Sequence, residues 1–397
     1  MIFTPPEIAQ LRQDTPACAS FIHFNNAGSA LPPTPVTQVM QAYLAEEAAL
    51  GGYELAARQA QENQAFYPAV ASFLNTAARN IAWATSATDA YNRALSAIPF
   101  AAGEVILTTE NDYVSNHLAF LQVCRRFGAR VVVAAESPAG GVDVADLVRL
   151  IDVHQPRLVA VTHMPTSSGL IQDVYAIGRA CRAAGVWYLV DACQTAGQLP
   201  LDVAAMGCDF LSATFRKFLR GPRGAGFLYV SDRVLATDLA PQYIDLHSAT
   251  WTGDTSYTLQ ADARRFELWE RNFMLVQGAT EAVRYAQTIG LARIAQRTAQ
   301  LAAHLRAALA TLPGLRVLDH GEHLGAIVTC TVPGHDPLRL LQTLREQHIH
   351  TSVTTLDYAR LDLQRKEAAW VLRFSPHYYN TIEEIEKVTK VFFKIIC

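Results

Sequence analysis

The chain has 397 residues, 50% of them apolar and 17% charged, a composition that excludes disorder as the main state. It carries 33 basic and 36 acidic residues, and the net charge of −3 points away from nucleic-acid and membrane-surface partners. Seven cysteines, an odd number without a Cys-x-x-Cys, give no disulfide framework and no zinc ribbon, and a reducing cytoplasm is the expected setting.

The first twenty residues include Glu7, Asp14 and two early prolines, with no basic start and no apolar run, so no secretion signal is expected. No stretch of about 18 apolar residues occurs, so no membrane span is expected. Strands are predicted over 81–84, 104–108, 130–134, 157–162, 186–190, 209–213 and 226–230. Helices are predicted over 37–50, 54–74, 89–97, 115–127, 144–152 and 174–183. The strands are rich in Val, Ile and Leu without strict alternation, as in a sheet covered on both faces. Their alternation with helices predicts an α/β architecture with a mainly parallel sheet. The short connection between 209–213 and 226–230 suggests one antiparallel member. After about residue 260 the pattern changes. Helix is predicted over 273–312, broken near Gly290, then strands 316–318, 326–331 and 370–374 and helices 337–347 and 382–392. The expected division is a large unit, 20–262, and a smaller α+β unit made of 1–19 and 263–397.

Lysine usage singles out one position. Of the 33 basic residues 28 are Arg, and Lys217 is the only lysine before Lys366. Coding bias accounts for the scarcity. Arg serves as well as Lys for solvation, but only an amine can lose its proton and attack a carbonyl. Arg216, Arg220 and Arg223 flank Lys217, and neighbouring cations favour the free amine. Asp191 follows the apolar run 186–190, where a strand's carboxyl end meets the ligand crevice of an open sheet. The segment Thr85-Ser-Ala-Thr-Asp-Ala90 lies between a strand and a helix, where backbone N–H groups bind phosphate or the hydroxyls merely cap. Arg373 ends a strand and can clamp a carboxylate. Together these describe a phosphate cradle, an acid for a ring nitrogen, a Schiff-base amine and a carboxylate clamp, which fits pyridoxal 5′-phosphate (PLP) acting on an amino acid.

Asp191-Ala-Cys-Gln194 and Thr214-Phe-Arg-Lys217 place the acid and the lysine 26 positions apart. With Phe24-Asn-Asn-Ala-Gly28 and Tyr379-Asn-Thr381 at the two ends, nearly the whole chain resembles the class V aminotransferase family. That family includes the cysteine desulfurases and isopenicillin N epimerase. The resemblance implies the aspartate-aminotransferase-like fold (PLP fold type I), a PLP cofactor, a small amino-acid substrate and a homodimer. It implies that Lys217 bonds the cofactor's aldehyde, Asp191 keeps the pyridine nitrogen protonated and Gln194 meets the phenolic oxygen. Ala87 and Thr88 match the phosphate-binding turn, with Thr214 and Arg216 as further phosphate contacts. Tyr113 stands where desulfurases have a ring-stacking histidine. Arg373 matches the arginine for the substrate carboxylate, with Asn26 beside it.

Three departures shape the expected reaction. Desulfurases carry a nucleophilic cysteine on a loop before the Arg373 motif; here His350-Thr-Ser-Val-Thr-Thr355 has none. Phe215 replaces a glycine and is expected to put a bulky ring near the cofactor. Arg265-Phe-Glu-Leu-Trp-Glu270 lacks the threonine that reaches the partner subunit's phosphate. Asn25-Asn-Ala-Gly-Ser-Ala, His163-Met-Pro-Thr-Ser-Ser-Gly and Arg264-Arg-Phe-Glu resemble the branch that cleaves hercynylcysteine sulfoxide. The expectation is a β-eliminating C–S lyase on a cysteine S-conjugate or its sulfoxide, releasing pyruvate and ammonia, and not a persulfide-forming desulfurase. Epimerisation, transamination and oxidative deamination remain as alternatives, with Tyr113 or His247 as the second acid of an epimerase. A nicotinamide enzyme is disfavoured because no Gly-x-Gly-x-x-Gly turn follows an early strand. No metal site is expected, since His320-x-x-His323 and His348-x-His350 lack further ligands. Trp251, Tyr257, Phe266, Trp269, Tyr378 and Tyr379 are candidates either for pocket walls or for packing.

Overall fold

A computed structural model describes residues 3–396; Cys397 lies outside the described residues. The strands are β1 (Ile22–His23), β2 (Ile81–Ala84), β3 (Val105–Thr109), β4 (Arg130–Ala134), β5 (Leu158–Thr162), β6 (Trp187–Asp191), β7 (Phe210–Thr214) and β8 (Gly226–Val230). They are followed by β9 (Ala249–Gly253), β10 (Ser256–Leu259), β11 (Arg316–Val317), β12 (Val328–Thr331), β13 (Ile349–His350), β14 (Ser352–Thr355) and β15 (Trp370–Phe374).

Seven strands form one sheet in the order β2-β8-β7-β6-β5-β3-β4. β3 to β7 pair in parallel, and β8 runs antiparallel to both β7 and β2. This is the PLP fold type I sheet, and β8 is the antiparallel member that the short connection suggested. β2, β3, β5, β7 and β8 are buried at every position, as their unbroken apolar runs require. A second sheet of four strands, β11-β12-β15-β14, lies in the C-terminal part, and β1 pairs with β13.

Helices follow the apolar stripes with local corrections. The expected helix over 54–74 is three pieces, Gly52–Arg58, Ala60–Gln64 and Phe66–Leu74. Pro68 has no N–H to donate, and its ring crowds the carbonyl four residues back, so a continuous ladder cannot cross 64–68. Helix Phe273–Ile289 packs on helices Thr34–Leu50 and Phe66–Leu74. It stops at Gly290, whose φ of 93° suits glycine, and Leu291–Ala310 continues. The β9–β10 hairpin was not predicted, because it is exposed almost throughout and carries no buried alternation. The presumed loop 350–355 is instead strand, with Ser352 opposite Arg373 on β15. Among the described residues no helix is long and apolar enough to cross a membrane.

Candidate active site

The carboxyl ends of β5, β6 and β7 meet the N-terminus of helix Ala87–Ala97, which follows β2. That is where open α/β sheets hold ligands. One pocket is lined there by Ser86, Ala87, Thr88, Tyr113, Thr162, Met164, Thr166, Asp191, Cys193, Gln194, Thr214, Arg216 and Lys217. Eight of the ten site residues expected from sequence are among them. Arg373 lies behind this wall, and Asn26 takes another place.

The helix start is built as an anion site. Ser86 caps it by accepting from the Asp89 N–H at 3.0 Å, and the amides of Ala87 and Thr88 stand at the positive end of the helix dipole. Gly226 makes room for this turn. A Cβ there would lie 2.6 Å from the Ser86 carbonyl carbon and 2.8 Å from the Ala87 nitrogen. Thr214 ends β7 facing this turn, and Arg216 donates to the Gly28 carbonyl.

Lys217 follows β7 and is buried. Burial pushes its amine below the usual lysine range, the nearby Arg216 and Arg373 charges push the same way, and Cys193 and Asp191 oppose them. Its Nζ lies 5.9 Å from the centroid of the Tyr113 ring. Asp191 ends β6; its Oδ1 accepts the Cys193 N–H at 2.8 Å and its Oδ2 accepts Asn116 Nδ2 at 3.2 Å. Burial and the neighbouring Asp191 carboxylate both push the Cys193 thiol up, so it resists ionisation.

Thr166 joins two of the expected residues. Its Oγ1 accepts Gln194 Nε2 at 3.0 Å and Arg373 Nη1 at 2.6 Å, and its carbonyl accepts the same Nη1 at 3.1 Å. Arg373 Nη2 reaches Asn25 Oδ1 at 3.2 Å, while its Nε has no partner among the described residues. Burial, and then the Arg216 charge, push this guanidinium down to about 10. Asn26 spends its amide on the Ser375 carbonyl at 2.7 Å and accepts the Tyr379 hydroxyl at 2.5 Å. Asn26 thus holds the chain near its start against the segment after β15, and Asn25 is the one that touches Arg373.

Other expectations fall elsewhere. Phe215 turns away from the pocket into the core, with its ring 5.5 Å from Phe227 and 6.0 Å from Phe66. His247 lies 3.0 Å from Glu267, outside the pocket wall. Phe266 packs against Phe210, whereas Trp251 and Tyr257 are exposed. Thr166, Thr162 and Cys193 line the pocket but were not predicted as site residues; Thr166 and Cys193 lie inside blocks that the reading did quote.

The donor set fits PLP. A buried amine of lowered pKa, a carboxylate with both oxygens anchored, a helix N-terminus beside Arg216 and an unpartnered Gln194 Oε1 face one space.

Comparison with known proteins agrees. Residues 22–388 match the family model described as aminotransferase class-V. A probable cysteine desulfurase of Methanothermobacter thermautotrophicus is 28% identical, over 97% of both chains. The apo structure of a cysteine desulfurase from Thermococcus onnurineus NA1 superposes with a TM-score of 0.89 at 25% identity, over 98% of each chain. A C-DES variant with glycine covalently linked to the PLP cofactor gives 0.84 at 24%, over 96% of this chain and 98% of that one. These findings overturn the expected C–S lyase on a cysteine S-conjugate or sulfoxide, because similar proteins carry the desulfurase name that the missing loop cysteine had seemed to exclude. The short motifs that suggested the hercynylcysteine sulfoxide branch find no support in these relatives, which are named probable cysteine desulfurases. The fold, the PLP-fitting pocket and the match over most of the chain place this protein in the aminotransferase class-V family of PLP-dependent enzymes.

Proposed function

We propose that the chain withdraws sulfur from a cysteine-type amino acid and delivers it to a thiol, a desulfurase-type reaction. The supporting observation is the convergence of Lys217, Asp191 and the Thr166–Arg373 pair on one pocket, in a chain similar to proteins named cysteine desulfurases.

Bound PLP supplies an electron sink for the pair left at the substrate Cα. Lys217, whose amine is pushed toward the uncharged form by burial, would take the Cα proton. Asp191 would accept a hydrogen bond from the ring nitrogen and balance its charge. Gln194 would meet the phenolic oxygen, and Tyr113 would lie against the ring. The amides of Ala87 and Thr88, with Thr214 and Arg216, hold the phosphate. Arg373 binds the substrate carboxylate as a fork. A thiolate would then attack the substrate sulfur: the C–S bond breaks, an S–S bond forms, Cβ takes up a proton and Cα regains its own. The balance is cysteine plus thiol giving alanine plus persulfide. Residues 350–355 offer no cysteine, and Cys193 is a poor thiolate, so we assign the acceptor role to an external thiol. The test is incubation of the holoenzyme with L-cysteine and dithiothreitol. Alanine and sulfide in equal amounts are expected; pyruvate with ammonia, or no product, overturns the reading.

We further propose a cytoplasmic homodimer with a PLP-binding unit, 20–262, and a smaller unit, 1–19 with 263–397. The cross-strand pair Trp251 and Tyr257 on the β9–β10 hairpin, together with Tyr243 and Leu246, is exposed, as a face awaiting a second copy would be. Light scattering that gives a monomer at micromolar concentration overturns the dimer.

A further inference from the structure

Asp112 lies just beyond the carboxyl end of β3 and is buried beside the pocket. It accepts from Thr108 Oγ1 at 2.7 Å, from the Tyr113 N–H at 2.7 Å and from Thr162 Oγ1. One helical turn onward, Asn116 donates from Nδ2 to Asp112 Oδ1 at 2.9 Å and to Asp191 Oδ2 at 3.2 Å. One NH₂ group therefore bridges two buried carboxylates, with a hydrogen for each.

The bridge has a definite sense. Asp112 accepts from three other donors, Thr108, Tyr113 and Thr162, and its Oδ1 faces the Asn116 amide, which therefore presents its NH₂ side. Asp112 is itself fixed from β3, from β5 through Thr162 and from the helix that carries Asn116. The Asp191 carboxylate is then held at one oxygen by the Cys193 N–H and at the other by Asn116. Each oxygen keeps a lone pair for a ring N–H.

We infer that Asn116, locked by Asp112, is a positioning residue that orients Asp191 toward the pyridine nitrogen and sets how firmly that nitrogen keeps its proton. This rests on the proposed role of Asp191. Burial raises the Asp112 carboxyl above the usual range. The groups facing the pair are Tyr91 from helix Ala87–Ala97, His117 from the helix of Asn116, Thr108, Thr162, Cys193 and Lys217.

The experiment uses full-length Asn116→Leu and Asn116→Ser proteins beside the unsubstituted one. Leu keeps the size and removes both donors, whereas Ser keeps one hydroxyl donor. Expected are PLP affinity weakened about tenfold or more in Asn116→Leu, as when outer-shell partners of a ligand group are lost, and a pH midpoint of the coenzyme's visible absorbance moved by about one unit. A smaller shift of the same sign is expected in Asn116→Ser. A purely structural role would lower the melting temperature and leave the midpoint unmoved, and that result overturns the inference. If neither variant folds, selective ¹⁵N labelling of asparagine in the unsubstituted protein decides. A side-chain amide signal that shifts when PLP binds is expected, and a full set of unshifted signals overturns the inference. Asp191→Ala separates the two levels: a change there with unchanged Asn116 variants removes only the inference, and no change there removes the reading of Asp191 as well.

Discussion

Thr166 Oγ1 lies 2.6 Å from Arg373 Nη1, so a residue on the segment after β5 steadies a guanidinium from β15. The same oxygen accepts Gln194 Nε2, which ties the carboxylate clamp to the wall of the coenzyme pocket. Thr166→Val removes this acceptor and keeps the shape. The expected result is a KM for the amino acid raised about tenfold with kcat nearly unchanged, because ground-state binding is lost. Steady-state kinetics with L-cysteine check it.

Lys217 is buried and has no carboxylate ion pair among the described residues, and burial holds its native pKa below the unfolded value of ~10.4. Between those two values the unfolded chain binds more protons than the native one, and stability rises with pH. Below the folded pKa the penalty is fully present. Lys217→Met is therefore expected to stabilise the coenzyme-free protein at pH 7 by roughly 1 kcal/mol. The gain should shrink as pH approaches the unfolded lysine value. Urea unfolding at pH 7 and pH 10 checks both parts, and the same variant loses coenzyme-dependent activity by about 10³-fold or more.

Gly226→Ala places a methyl group 2.6 Å from the Ser86 backbone. Backbone at that distance must move, and it is the backbone that bears the pocket's helix start. The expected outcome is a loss of about 1–3 kcal/mol in stability and a clear weakening of PLP binding. Calorimetry of the apoprotein and a PLP titration separate the two effects.

Arg220 is fully buried with a φ of 59° and has no acidic partner in the salt bridges of the described residues. Its fork reaches the Leu31 carbonyl at 2.8 Å, the Tyr378 hydroxyl at 2.6 Å and Thr15 Oγ1 at 2.6 Å, and its Cζ lies 4.6 Å from the Tyr379 ring centroid. A lysine cannot span those acceptors in one plane. Arg220→Lys is expected to cost about 2–3 kcal/mol in chemical unfolding, while a Leu121→Gln control on an exposed helix face stays within about 0.5 kcal/mol.

The seven strands of the main sheet were legible to within a residue, because each is a short apolar run bounded by turns, and most of these runs are buried on both faces. Lys217 stood out through the scarcity of lysine, and Asp191 through its place at a strand end. What escaped depended on distant partners. Thr166 gains its meaning from Arg373, 207 positions away, and nothing in the local sequence marks it. Asp112 and Asn116 read locally as ordinary helix-start polar residues, and only the fold brings Asp191, 75 positions on, against Asn116. The direction of the Phe215 ring was equally hidden, since a side chain next to a catalytic lysine can face either the pocket or the core. The polar run at 352–355 looked like loop because β14 is only partly buried.

Asn25 and Arg373 are separated by 348 positions, yet they touch beside the pocket. β1 likewise waits for β13 near the other end. The ribosome must therefore deliver nearly the entire polypeptide before this pocket can close, and such long-range contacts form slowly. Completion of the carboxylate clamp then becomes a late event, and a nascent chain stalled before residue 373 would carry the lysine without the clamp that selects its substrate.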